Sequence, residues 1–191
     1  MNREINGILV AAVAWLCLAL LVGATGHFRN VTPTGVAATV WGLTALALLM
    51  CWKAPRIREA SADLDLRWLI ALHLTRFVGI YFLVLGSRGV LNPGFARLAG
   101  VGDIIVAVGA VAILVTQGRD GAARRPYLLF LWNTFGLVDI IMVVFSAFRF
   151  GVADWASMAP LRELPLSLLP TFLVPLIIAS HVLIYGRLRK L

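Results

Sequence analysis

Leu98-Ala-Gly-Val-Gly-Asp-Ile-Ile-Val-Ala-Val-Gly-Ala-Val-Ala-Ile-Leu-Val-Thr116 decides the fold class. This run carries one charge, Asp103, and everything else except Thr116 is aliphatic or glycine. At about 1.5 Å of rise per residue, a helix of this length covers close to the ~30 Å hydrocarbon thickness of a bilayer. Five further runs are similarly apolar: Ile5–Thr25, Gly35–Trp52, Trp68–Gly86, Tyr127–Phe148 and Leu166–Tyr185. The chain is 61% hydrophobic and 14% charged, against about 25% charged in an ordinary soluble domain. Nothing between the runs reads as a separate soluble module. The expectation is an all-α, polytopic membrane helical bundle, one six-helix transmembrane domain over residues 1–191.

Charge sets the predicted orientation. Of 17 Lys and Arg, six crossings put eleven on the side that holds both ends, from Arg3 through the loops to Lys190. Five fall on the opposite side, and Arg76 lies within a span. The positive-inside rule then places the N- and C-termini in the cytoplasm of a cell (inner) membrane protein. The net charge of +8 follows from this asymmetry and from attraction to anionic lipid. Basic residues scattered over short loops make nucleic-acid binding a poor alternative, and no nucleic-acid partner is expected.

The first run resembles a signal peptide in having Arg3 before it and Gly23-Ala24-Thr25 after it. Its apolar stretch exceeds the roughly 7–15 residues of a signal h-region, so it is expected to be a retained helix. Cys17 and Cys51 fall at different depths and read as apolar filler. The first two spans hold no ionisable residue in the hydrocarbon. They are expected to pack or face lipid, and the second offers a surface for a homo-oligomer.

The link Arg56–Arg67 mixes charge with Ile57, Ala60 and Leu64 at helical spacing. It reads as an interfacial amphipathic helix or, more simply, a solvated connector. Gly151–Pro165 reads as resting at the opposite headgroups or, again more simply, as a solvated connector.

The functional signal lies in His73, Arg76, Asp103, Asp139 and His181, all within spans three to six. An ionisable group in hydrocarbon costs several kcal/mol unless it meets a partner or a cavity, and so marks a site. Helical rise from the cytoplasmic end puts His181 at about 6–8 Å, His73 at about 8–9 Å and Arg76 at about 12–14 Å. Asp139 follows near 18 Å and Asp103 near 20–22 Å on the same rule. Asn133 shares the histidine level, off the face of Asp139. A guanidinium stays charged, so Arg76 is expected to pair with Asp103, Asp139 or both. Should the two carboxylates lie together, one is expected to hold a proton. Gly100-Val-Gly-Asp103-Ile-Ile and Gly136-Leu-Val-Asp139-Ile-Ile echo one another, each setting a small residue one turn before its carboxylate. Small residues let membrane helices approach closely.

Three chemistries fit these residues. The leading expectation is a b-type haem bound by His73 and His181, with Arg76 at a propionate and Gly79 and Gly136 making room for the macrocycle. That arrangement resembles cytochrome b-type membrane proteins, without a sequence motif that ties the chain to a family. It implies an electron-transfer or quinone-linked protein, with Trp132 and Tyr81 as candidate pocket residues. The runner-up is a proton-coupled transporter of an ion or small molecule. There Asp103, Asp139 and Arg76 bind the coupling ion or substrate, and Pro170 and Pro175 break span six to free a carbonyl. The third is an intramembrane metal enzyme using His73, His181 and a carboxylate.

Standard catalytic motifs are absent: no Gly-x-Ser-x-Gly, His-Glu-x-x-His, Cys-x-x-Cys or phosphate loop occurs. Ser180 adjoins His181, but helical neighbours point about 100° apart, so the two are not expected to pair as nucleophile and base.

Overall fold

The computed structural model describes residues 3–55, 57, 59, 64–116 and 126–189, without the side chains of residues 3–6 and 8. Most of the link 56–67 and the whole connection 117–125 therefore lie outside the described residues, and so does Lys190. Within them the regular structure is helical, with no strand.

Among the described residues, five helices are long and apolar enough to cross a membrane: α2 (Pro33–Lys53), α3 (Leu66–Ser87), α4 (Pro93–Thr116), α5 (Pro126–Ala153) and α6 (Leu169–Leu188). The protein is accordingly a multi-pass membrane protein by the length and composition of its helices. The first helix, α1 (Arg3–Ala24), has a shorter apolar part, Leu9–Ala24.

Local chemistry sets the helix ends. The Thr32 hydroxyl accepts from the Gly35 amide and Pro33 follows it as the first helical residue, where its missing N–H costs nothing. Asn92 does the same for α4, its Oδ1 accepting from the amides of Gly94 and Phe95. Gly89, at φ +68°, supplies the left-handed residue just past the end of α3.

The chain divides into two compact units. Unit 1 joins Met1–Leu64 to Gly151–Ala179, so it holds α1, α2 and the start of α6. Its interior is mostly apolar, with Ala19, Val40, Met158, Leu166 and Ile177 buried. α2 is largely exposed, burying only Val40 and Thr44, as a lipid-facing helix does. The segment after α5 is tied down by Trp155, whose indole donates to the Val31 carbonyl. Arg162 adds to this, stacking on the Trp155 ring and donating to the Arg29 carbonyl.

Pro175 cannot donate a hydrogen bond to the Thr171 carbonyl one turn earlier. The helix widens into a π-turn over Leu169–Leu173, and the Trp15 indole donates to that carbonyl at 2.9 Å. The oxygen that Pro175 was expected to offer to an ion or substrate is thus already paired, because α1 places a donor beside it.

Unit 2 joins Asp65–Phe150 to Ser180–Leu191, and so contains α3, α4, nearly all of α5 and the end of α6. α3 and α4 meet through glycine. A Cβ on Gly100 would lie 2.8 Å from the Gly79 carbonyl oxygen, so neither position tolerates a side chain. This close approach lets short side chains meet across the helices, and it sets the frame of the site.

Candidate functional site

α3 is not α-helical throughout. Leu72–Phe77, carrying His73 and Arg76, is wound as a 3₁₀ helix. Such runs are uncommon beyond about four residues, and residues three apart eclipse in them. The winding therefore sets His73 and Arg76 one above the other on a single face. The Thr75 hydroxyl donates to the Leu72 carbonyl at 2.7 Å, which supports the tight turn.

Arg76 is the centre of a buried cluster in unit 2. Its side chain is 1% exposed, against 5% for Asp103 and 13% for Asp139. Nε donates to Asp103 Oδ1 at 2.7 Å, Nη1 donates to the Gly136 carbonyl at 3.0 Å, and Nη2 is paired with Asp139 Oδ2. A planar fork of donors can serve three acceptors in three directions, which an ammonium cannot.

The glycines are cut to this arrangement. A Cβ on Gly102 would strike the Asp139 carboxylate, and one on Gly136 would come within 2.7 Å of the His181 ring. The Gly136 carbonyl is also the third acceptor for Arg76. Each half of the Gly-x-x-Asp echo thus has a structural use. Gly100 brings α4 against α3, and Gly136 admits both the guanidinium and an imidazole.

The histidines form a second cluster against the first. Both are completely buried, and their ring centroids are 4.3 Å apart with planes tilted by 48°. His73 Nε2 faces Ser180 Oγ at 3.1 Å, and Trp132 meets the same ring edge-on at 5.0 Å. His181 Nδ1 lies 2.8 Å from Asn133 Oδ1, while Asn133 Nδ2 donates to the His181 carbonyl. His73 Nδ1 and His181 Nε2 have no hydrogen-bond partner among the described residues.

All six residues singled out from the sequence thus lie in unit 2. Arg76 joins both aspartates, His73 touches His181, and Asn133 locks onto His181. Sequence reasoning did not connect Ser180 with His73. The same 100° step that parts it from its neighbour turns it toward α3, and no motif signals the match. Trp132 sits beside the imidazoles, its indole donating to the Val106 carbonyl. Tyr81 is 42% exposed and takes no part in the interior.

A bis-imidazole haem requires its two rings on opposite sides of a flat slot as wide as the macrocycle. Here the ring centroids are 4.3 Å apart, with Trp132 and Ser180 beside His73 and Asn133 beside His181. Among the described residues no three of His, Cys, Asp and Glu come together as a metal-ligand set. Both carboxylates are paired with Arg76.

The chain belongs to the family described as Domain of unknown function (DUF8737), whose model matches residues 33–189. The match takes in α2 to α6 and every residue of both clusters. No curated protein and no solved structure matches the chain.

Proposed function

We propose that this chain is a proton-coupled membrane transporter whose coupling site is Arg76 with Asp103 and Asp139. One observation carries the reading: a completely buried guanidinium held between two carboxylates from two helices. Arg76 balances one of the two negative charges, leaving one over. An unbalanced charge is costly inside a membrane, and one bound proton cancels it. Loss of that proton favours any rearrangement that brings a cation or water to Asp139, the more exposed of the two carboxylates. Coupling is this link between proton occupancy and the packing of α3 against α4 and α5. Small anions are the natural substrate class, because a guanidinium freed from one carboxylate binds another in the same forked geometry.

Six crossings with both termini cytoplasmic belong to this reading, supported by the bias of eleven basic residues to five. α1 supplies the sixth crossing. A cell-membrane location follows from the same bias.

Proteoliposomes containing a pH indicator test the proposal. Addition of small carboxylic acid anions is expected to change internal pH with wild-type protein and not with Arg76→Gln. Equal signals from both would remove the cluster from transport. The purified protein is expected to show no Soret band after expression with haem supplied. A strong band lost in His181→Ala would instead support the bis-imidazole haem and its redox role.

A further inference from the structure

Asn133 fixes the chemistry of His181. Its Nδ2 donates to the His181 carbonyl, so its Oδ1 is an acceptor and the imidazole must present Nδ1–H to it. In the neutral ring this leaves Nε2 as a bare lone pair, completely buried and without a donor among the described residues. At His73, Nε2 faces the Ser180 hydroxyl and Nδ1 is the nitrogen without a partner; when that hydroxyl accepts from Nε2–H, Nδ1 is a second bare lone pair. Two touching imidazoles, each with one unpartnered nitrogen, form a site for a Lewis acid.

We propose that His73 and His181 together hold one proton, as a second station for the proton that balances the Arg76–Asp103–Asp139 cluster. This rests on the proton-coupled reading of that cluster.

Charge counting supports it. The groups facing the pair are Arg76, the Gly136 carbonyl, and the neutral Trp132, Asn133 and Ser180; Asp103 and Asp139 act on it through Arg76, which both of them pair. One proton on the imidazoles, added to the surplus negative charge of the cluster, makes the interior neutral. A proton on a carboxyl does the same, so the two placements compete for one proton. Transfer breaks an O–H bond at Asp103 or Asp139 and forms an N–H bond at His181 Nε2 or His73 Nδ1. The carboxylate recovers its negative charge, and no oxidation state changes. The contact between the stations is Gly136, whose carbonyl holds Arg76 and whose missing Cβ leaves room for the His181 ring. Asn133 is a positioning residue, acting by holding the tautomer that exposes Nε2.

Full-length protein labelled with ¹⁵N-histidine and placed in lipid nanodiscs tests this by NMR across pH. Exposed His27 supplies a reference signal outside the interior. The expected result is that His73 and His181 shift together, with one midpoint and one proton per molecule. Asp139→Asn removes the surplus charge and is expected to weaken proton binding at the pair at least tenfold while leaving His27 unmoved. Asp103→Asn is the alternative should that variant not fold. Independent midpoints, no change at either ring, or an unchanged midpoint in the aspartate variant would overturn the proposal. So would stoichiometric zinc or copper lost in His181→Gln. Transport that depends on Asp103 and Asp139 while both rings stay silent would sink this inference alone, and leave the carboxylate site standing.

Discussion

Unit 1 and unit 2 both bury polar groups, but for different ends. In unit 1 the polar contacts are mostly with backbone. Trp15 closes the carbonyl that Pro175 leaves open, Trp155 caps Val31, and Thr44 bonds back to Val40. The Ser167 hydroxyl and Arg162 Nε lack partners there among the described residues, and the Arg162 guanidinium otherwise donates to backbone carbonyls and stacks on Trp155. Unit 2 buries a cation with two anions, and two imidazoles with one unpaired nitrogen each. Stability alone gives no reason to keep such a cluster, since apolar groups of similar volume often serve as well. Polar groups in the first unit mostly finish the backbone, whereas those in the second meet other side chains around a buried cation.

The sharpest way to break this contrast is to remove the cation. Arg76→Leu leaves two carboxylates facing each other and is expected to cost about 3–5 kcal/mol. Thermal unfolding in detergent would read this as a large fall in midpoint. Arg76→Lys is expected to recover only part of the loss, because an ammonium cannot reach Asp103, Gly136 and Asp139 at once.

Glycine substitutions make the next comparison. Gly102→Ala pushes against the Asp139 carboxylate and Gly136→Ala against the His181 ring. Each is expected to cost about 1–3 kcal/mol through overpacking. In unit 1, Gly42 has nothing within 4 Å of an added Cβ, so Gly42→Ala should stay within about 0.5 kcal/mol of wild type. Equal effects at the three positions would mean that the glycines of unit 2 are not fitted to the cluster.

Trp15→Phe completes the series from the other unit. It keeps the aromatic packing on Phe172 and removes the donor to Thr171, at an expected cost of about 1 kcal/mol. Proton-dependent activity should not change.

Much of unit 2 was legible before any coordinates. Long apolar runs announce their helices, and a buried guanidinium requires an acid, which narrowed its partners to Asp103 and Asp139. Depth counting put His73 and His181 at one level because both lie a few residues from the same end of their helices. It placed Arg76 well short of Asp103, and the 3₁₀ winding of Leu72–Phe77 helps bring them together. That stretch rises about 2.0 Å per residue instead of 1.5 Å, and Leu-His-Leu-Thr-Arg-Phe holds no proline or glycine to announce it. The contact between the two imidazoles was equally hidden. A shared level says nothing about the azimuth of each ring, which here depends on Ser180, Asn133 and the missing Cβ of Gly136. Hence the shared level alone pointed to a haem between the rings, while their 4.3 Å separation was not legible in the sequence. Pro175 gave the opposite lesson. The break it forces was visible in the sequence, but its consequence depended on Trp15, some 160 residues away in the chain.

The most direct test of the coupling site compares wild type with Asp103→Asn and Asp139→Asn in proteoliposomes at equal protein content. Both variants keep the volume of the side chain, and both remove the surplus charge. Anion-driven change in internal pH should fall at least tenfold in each, with helical content unchanged by circular dichroism. Wild-type rates in both variants would contradict the account, and would return Arg76 and its two acids to a purely structural role.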